Sequence, residues 1–276
     1  MGLRITTNVA AINTQRNLVG SQRNIQNSMA QLSSGYRINK SADDAAGLAI
    51  SENMKAQIRS STQARRNAND GISLVQTAEG GLNEISGITT RLRELGIQAS
   101  SDTVGDNERG FINLEVSQLK SEIDRIANTS SWNSTKLLDG STPTFDFQVG
   151  INSTENDVIS FDASQNTATV QGLGLDTLDF ATKDGARFSL VSLDQALTSL
   201  SGMRANIGAV QNRLISTVDN LAVTEENLAA ANSRIRDTDI AATSSEMARN
   251  SVLLQAGVAT LAQANQTSQL ALKLLG

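Results

Sequence analysis

The sequence predicts a mainly α protein, a long helical bundle with coiled-coil-like terminal arms and a small central β-hairpin region. Three observations carry this prediction. Proline, the residue that most reliably ends helices, occurs once, at Pro143, leaving 142 residues before it and 133 after it free to form long helices. Apolar residues recur at steps of three and four through both flanks. Six of the eight aromatics (Trp132, Phe145, Phe147, Phe161, Phe180 and Phe188) fall in the centre, where the pattern changes to short alternating runs.

The elements follow in chain order. Residues 1–40 form an N-terminal arm in which Leu18, Ile25, Met29 and Leu32 make a narrow stripe in a segment otherwise rich in Asn, Gln and Ser. Ser33-Ser34-Gly35 is the expected break between this arm and the bundle. Residues 41–138 supply two bundle stripes, one through Val75, Leu82, Ile85, Leu92 and Leu95, the other through Ile112, Val116, Leu119, Ile123 and Ile126. The pair Gly80-Gly81 lowers helix propensity by about 2 kcal/mol relative to alanine and marks a place for a kink. Residues 139–190 carry TFDFQVGI and DVISFDA, alternating runs bounded by Gly, Asn and Asp that read as β-hairpins. Residues 191–236 continue a stripe from Leu193 through Leu200, Ile207, Leu214 and Leu221 to Ile235. After a turn at Asp237 to Asp239, residues 237–276 form a C-terminal arm with Ile240, Met247, Leu254, Leu261 and Leu275 spaced by sevens, apart from Ser268, and with Val258 and Leu272 extending the face. Stripes this narrow are weak reasons for a helix to fold alone, so the arms are expected to pair with each other and with neighbouring chains.

Composition excludes more chemistry than it suggests. The 276 residues contain no Cys and no His, which removes disulfides, thiol catalysis, Cys/His metal sites and every mechanism needing an imidazole base. Aromatics make up 3% of a chain that is 39% hydrophobic, so the core must be built from Leu, Ile, Val and Ala. With 23 basic and 28 acidic residues, the net charge of -5 disfavours a nucleic-acid coat. Charge is unevenly placed: Met1 to Ala42 holds five bases and no acid, whereas Gly140 to Leu190 holds seven acids against Lys183 and Arg187. The bases are dispersed among Asn, Gln and Ser, which reads as a solvated face.

No catalytic constellation emerges. Asp43 and Asp44 are adjacent, so on a helix they diverge by about 100° and read as helix-start acids following Ser41. Gly172-Leu173-Gly174 lacks the third glycine of a dinucleotide loop, and Arg59, Arg65 and Arg66 have no aromatic beside them. No cofactor is expected. The longest apolar run, Ala45 to Ile50, is far too short to span a bilayer, and MGLRITTNVA lacks the apolar stretch of a cleaved signal peptide. Export, if it occurs, is expected by another route. Gly2 and Thr6 fit the short myristoylation pattern, which eukaryotic enzymes read, and Asn-x-Ser/Thr at Asn128, Asn133, Asn152 and Asn265 is near chance in so polar a chain.

The termini carry a specific resemblance. RITTNVAAINTQRNL (Arg4 to Leu18), LSSGYRIN (Leu32 to Asn39) and SADDAAGLAIS (Ser41 to Ser51) closely resemble the N-terminal region of bacterial flagellin. QAGVATLAQANQTSQLALKLLG (Gln255 to Gly276) is similar to its C-terminal region. The resemblance spans about residues 1–138 and 190–276 and leaves the centre without a matching motif. It implies a non-enzymatic structural subunit of the extracellular flagellar filament that serves swimming motility, with terminal arms pairing as an inner tube. It further implies export in an unfolded state by the flagellar type III apparatus. The implied partners are further copies of the chain, hook-associated junction and cap proteins, and an export chaperone, with no nucleic acid and no membrane. Absent Cys and scarce Pro suit a chain threaded through a channel and refolded at its tip.

RLRELGIQAS (Arg91 to Ser100) and EVSQLKSEIDRI (Glu115 to Ile126) are similar to flagellin segments recognised by Toll-like receptor 5. By resemblance Arg91, Leu95, Gln98 and Glu115 occupy contact positions, while Gly96 stands where alanine is usual. The plainer role for that surface is packing between protofilaments. Two alternatives to the filament subunit remain at this stage. One is an adaptor at the hook–filament junction with flagellin-like ends, disfavoured by the complete LSSGYRIN, DDAAGLAIS and LAQANQ stretches. The other is a carboxylate hydrolase in the acidic centre, disfavoured by the lack of a convergent acid pair.

Overall fold

Five α-helices, one turn of 3-10 helix (Glu155–Asp157) and four short strands make up the computed structural model, which describes residues 7–141 and 144–273, with side chains through residue 266. In chain order the α-helices and strands are α1 (Val9–Ser34), α2 (Ala45–Ala99), α3 (Asp106–Thr129), β1 (Ser131–Trp132), β2 (Thr135–Lys136), β3 (Thr144–Gln148), β4 (Val158–Asp162), α4 (Lys183–Arg236) and α5 (Ile240–Lys273). The chain divides into two compact units, one of residues 59–225 and one of residues 1–58 with 226–276. The division falls within α2 and α4. The helices themselves end where the sequence punctuates them, at Gly35 and at Asp237 to Asp239. The proline at position 143 lies outside the described residues.

The unit of residues 59–225 is a helical bundle carrying two hairpins. α4 runs antiparallel to α2: Arg93 near the end of α2 meets Asp194 near the start of α4 at 2.7 Å, while the Ser61 hydroxyl reaches the Leu221 carbonyl at 3.4 Å. The stripe Val75, Leu82, Ile85, Leu92 and Leu95 is buried throughout. It packs with Ile112, Val116 and Ile123 of α3 and with Leu193, Leu200, Ile207, Val210 and Leu214 of α4 in one core, against which Leu119 and Ile126 are half-buried. Such stripes meet because residues three and four apart share a helix face.

α2 continues as a helix through Gly80-Gly81. A Cβ at Gly81 would lie 2.7 Å from both Leu138 Cδ1 and Ser130 Oγ, so this glycine admits the segment around the first hairpin. β1 and β2 pair antiparallel around Asn133 and Ser134, both at positive φ (46° and 65°). β3 and β4 pair antiparallel with Phe145 opposite Phe161, their rings stacked 6.5 Å apart. Phe161 and Phe180 are the largest fully buried side chains of the core. From residue 163 to the start of α4 the chain is turns and bends, anchored by Val170, Leu173, Leu175 and Leu178 in the core.

In the second unit, α1 packs along α5. Asn8 caps α1 by accepting the Ala11 amide at 3.0 Å, and Gly35 ends it in the left-handed conformation (φ +74°), its amide donating to Gln31. Asp44 stands before α2 and its Oδ1 accepts the Gly47 amide at 2.9 Å. Asp43 serves the preceding turn, its Oδ2 accepting the Lys40 and Asn39 amides at 2.9 and 3.0 Å. These bonds, Lys40's foremost, hold the Asp43 carboxyl below its ordinary value. The two adjacent carboxylates therefore do separate structural work and face no common substrate.

Candidate assembly interface

The arm pair is built from helices that are poor in charge and short of large core residues. α1 and α5 are antiparallel, fixed at one end by the Asn8 amide donating to the Ala264 carbonyl at 2.9 Å and at the other by the Thr238 amide donating to the Gly35 carbonyl at 3.0 Å. Between these ends Leu18 sits on Gly257, where an added Cβ would lie 2.8 Å from a Leu18 methyl. Leu18, Ile25 and Leu32 of α1 and Met247, Leu254 and Leu261 of α5 are half-buried along the contact. The residues buried most completely there are polar: Ser28 at 4%, Thr243 at 7% and Asn250 at 7% exposure.

The remaining arm residues singled out from the sequence are placed differently. Met29, Ile240 and Val258 point outward, at 58%, 65% and 54% exposure. Leu272 lies where side chains are not described, and Leu275 lies outside the described residues. Val9, Ile12, Val19, Val252 and Leu253 join Met29, Ile240 and Val258 as large apolar side chains at least half exposed, or nearly so. On the outer side of α1, Ile12, Val19 and Gly20 line a shallow groove bordered by Arg16 and Arg23. The arm pair thus has apolar residues on two faces, one turned to its partner helix and one to solvent. Scattered exposed apolar residues are ordinary; this many on two paired helices make the pair a candidate interaction surface.

A second contact holds the chain reversals of this unit together. Tyr36 and Asp237 form a β-bridge, and the Arg37 amide and guanidinium donate to the carbonyls of Arg236 and Ile235, both at 2.7 Å. The Arg236 guanidinium lies 4.7 Å from the centre of the Tyr36 ring and pairs with Glu52.

On the bundle, Arg91 of α2 pairs with Glu115 of α3 at 3.1 Å and with Glu94 at 3.0 Å, contacts that raise its already high pKa, the Glu94 bond foremost. Gln98, two turns further along the same face of α2, is exposed, whereas Leu95 is 2% exposed and belongs to the core. At Gly96, Leu190 and Phe180 approach to 3.0 and 3.3 Å of where a Cβ would be.

Sequence reasoning missed Gly257, Ser28, Thr243, Asn250, Tyr36 and Arg236. The first four were legible in principle, because small and polar residues occupy every second place in the step of three and four that the apolar ones begin. Among the described residues no three acidic side chains gather as a metal site, and no helix is long and apolar enough to cross a membrane.

Known proteins match both helical ends of the chain. Residues 5–142 match the bacterial flagellin N-terminal helical region and residues 190–275 the C-terminal helical region. The chain is 45% identical to a flagellin of Halalkalibacterium halodurans over 271 residues, 98% of this chain and 99% of that protein. It is 40% identical to a flagellin of Bacillus subtilis, covering 99% and 100% of the two chains. A flagellar filament core protein of Brachyspira hyodysenteriae is 41% identical over 98% and 99% of the two. The crystal structure of Bacillus cereus flagellin superposes with a TM-score of 0.51 at 28% identity, over 60% of this chain and 94% of that one.

Proposed function

The chain belongs to the bacterial flagellin family, and from that premise we propose that it is a structural, non-catalytic subunit of the extracellular flagellar filament, polymerising through its two terminal arms. The supporting observation is the outward apolar set on the arm pair: Val9, Ile12, Val19 and Met29 on α1, with Ile240, Val252, Leu253 and Val258 on α5, exposed in a single chain. Covering such surface with identical arms of neighbouring copies contributes about 25 cal/mol per Å² of apolar area. The bundle of residues 59–225 has its own buried core and does not require the arms for that core.

The test is a truncation. Deleting residues from Leu261 onward leaves the bundle folded, with its unfolding midpoint unchanged, and abolishes fibres in electron micrographs of protein salted out of solution. Fibres from the truncated chain overturn the reading. The same micrographs of the full chain separate it from the junction adaptor: long helical fibres mark a filament subunit, and persistent monomers or short rings mark the adaptor.

Three finer assignments rest on family membership. Export unfolded through the type III apparatus accords with a chain holding no Cys and one Pro; a Cys pair closing a loop impairs export under oxidising conditions if this holds. Junction, cap and chaperone proteins are the partners such a route implies. Recognition by Toll-like receptor 5 is supported by the exposed Arg91–Glu115 pair and Gln98. Purified monomer activates a receptor reporter to a level comparable with a known flagellin if that surface is read, and silence removes the assignment.

A further inference from the structure

The seam between α1 and α5 has a pattern that limits how it can slip. Starting from Leu18 on Gly257 and stepping by three and four along both antiparallel helices, the residues brought opposite are Thr14 and Leu261, Ser21 and Leu254, Ile25 and Asn250, Ser28 and Met247, and Leu32 and Thr243. The same stepping places Ala11 opposite Ala264, in agreement with the Asn8 bond to the Ala264 carbonyl. All of these residues are buried or half-buried. Apart from Ala11 and Ala264, every layer sets one large apolar side chain against one small or polar one.

A slip of half a heptad destroys this complementarity. It opposes Leu18 to Leu254 and Ile25 to Met247, and leaves Ser28 on Thr243 and Ser21 on Asn250, so that overfilled and underfilled layers alternate. A slip of a whole heptad preserves it: Leu18 meets Asn250, Ile25 meets Thr243 and Ser21 meets Met247, or, in the other direction, Ile25 meets Gly257 and Ser28 meets Leu254. Side-chain size along most of the seam therefore does not choose among registers seven residues apart. Two features do discriminate. Leu18 is seated so close to the Gly257 backbone that an added Cβ would lie 2.8 Å from its methyl, so the Ala264 methyl, which one slip puts beneath it, would have to displace the Leu18 side chain. The bridge at Tyr36 and Asp237, with Arg236 stacked on Tyr36 and paired to Glu52, joins the ends of the two helices in one register alone.

We infer that the register of α1 on α5 is selected at two points, the notch at Gly257 and the clip made by Arg236 on Tyr36 and Glu52, the rest of the seam being permissive to a seven-residue slip. Arg236 is then a positioning residue, acting on the arm pair through the chain reversals rather than by touching the seam. Register sets which outward residues of α1 lie beside which of α5, and so the pattern offered to another molecule. The inference concerns pairing within one chain and is separable from the filament reading.

A chain without cysteine allows a direct test in the full-length protein, before and after assembly is induced. Ala11→Cys with Ala264→Cys reports the register seen here; Ser21→Cys with Met247→Cys, and Ser28→Cys with Leu254→Cys, report the two heptad slips. A slip of seven residues moves a partner by about 10 Å, beyond the roughly 7 Å that a disulfide spans. With the seam otherwise unaltered, only the first pair forms an intrachain disulfide. Arg236→Ala lowers its yield and makes a slipped pair form. Gly257→Leu abolishes the first disulfide, and the exchange Leu18→Gly with Gly257→Leu, which inverts knob and notch, restores it. Formation of the first disulfide alone in either Arg236→Ala or Gly257→Leu overturns the inference. So does failure of the exchange to restore it, since Gly257→Leu would then have acted by spoiling the helix.

Discussion

The bundle of residues 59–225 and the α1–α5 pair are both made of long helices with apolar stripes, yet they use those stripes in opposite ways. In the bundle Leu82, Ile85, Leu92, Ile123, Leu193 and Leu200 are at 0–1% exposure and form a sealed core, although Phe111, Leu114, Phe188, Val191 and Val223 on its surface are more than half exposed. In the arm pair Ser28, Thr243 and Asn250 are the best buried, while Val9, Val19, Val252, Leu253 and Val258 are exposed. A core completed within one chain gains its stability there. A pair that buries serine and exposes valine has kept part of its apolar area for something else. Helical propensity is not the difference; the partner of the stripe is.

Core truncation separates the two regions most sharply. Leu82→Ala or Phe161→Ala removes a fully buried side chain and is expected to lower bundle stability by about 3–5 kcal/mol, read as the midpoint of denaturant unfolding. Leu254→Ala, half-buried on the seam, is expected to shift that midpoint by less than about 0.5 kcal/mol and to weaken fibre formation instead. Equal effects of both substitutions on unfolding would erase the distinction between a sealed bundle and an unfinished arm pair.

A buried cation gives the next largest effect. Arg109 of α3 is 7% exposed and donates Nε and Nη2 to the carbonyls of Ala99 and Ser101, both at 2.9 Å, and Nη1 to Asp106 at 2.8 Å. It thereby satisfies carbonyls left unpaired where α2 ends and fixes the turn into α3. Arg109→Ala is expected to cost about 2 kcal/mol in bundle unfolding. Arg109→Lys recovers only part, because an ammonium cannot reach three acceptors in the planar geometry of a guanidinium. Fibre assembly at temperatures where the bundle is folded is expected to survive both.

How much of this was legible in the sequence follows from the same contrast. The bundle stripes read correctly because a buried face has to be apolar at nearly every third or fourth place, as Val75 to Leu95 and Leu193 to Leu221 are. The β3–β4 hairpin reads correctly from alternation in TFDFQ and VISFD, whereas β1–β2, two residues a strand and inside the segment read as bundle, is too short to show a period. On the arms apolarity does not identify one face: Leu18 and Leu254 turn inward, Met29 and Val258 outward, and the inward positions between them are Ser28, Thr243 and Gly257. Hydrophobic counting passes over those three. Arg109 and Arg236 act through acceptors distant along the chain or around a turn, and no local pattern reveals them. Leu95, placed on a receptor surface by resemblance, shows the converse: a position in a recognised segment still has to be located in three dimensions, and this one lies in the core.

Acid separates the regions more weakly. Asp102 and Asp162 in the bundle are held below the ordinary carboxylate value, Asp102 by the Lys183 ammonium and Asp162 by the Ser164 hydroxyl; Asp43 in the arm unit is held there by the Lys40 and Asn39 amides. For a carboxyl depressed on folding, the stabilisation is complete above the unfolded value of 3.8 and is lost as pH falls through the lower folded value. Stability is therefore expected to be flat at neutral pH and to decline below about pH 4. In Asp43→Ala the acid-dependent part of that decline is expected to shrink only for amides of residues 36–48, followed by hydrogen exchange, with the bundle amides unmoved.

The smallest expected effect has the opposite sign. In the β1–β2 hairpin Asn133 and Ser134 hold φ of 46° and 65°, the double left-handed geometry that suits a two-residue turn between right-twisted strands. Asn tolerates that region, whereas a serine there carries the steric cost of Cβ against the following carbonyl, about 1 kcal/mol. Glycine removes the clash, but it also gives the unfolded chain more freedom, which returns part of the gain. Ser134→Gly is accordingly expected to stabilise the bundle by about 0.5 kcal/mol, and Ser134→Ala, which retains Cβ, is expected not to. Thermal unfolding of the two variants side by side decides the matter, since a gain in both would trace to loss of the hydroxyl rather than to backbone strain. The hairpin lies in the bundle, so the Gly variant should leave fibre formation where it was. A change in assembly would mean that the bundle surface near β1 and β2 also takes part in contacts between copies, and that the division between a finished bundle and unfinished arms is drawn too cleanly.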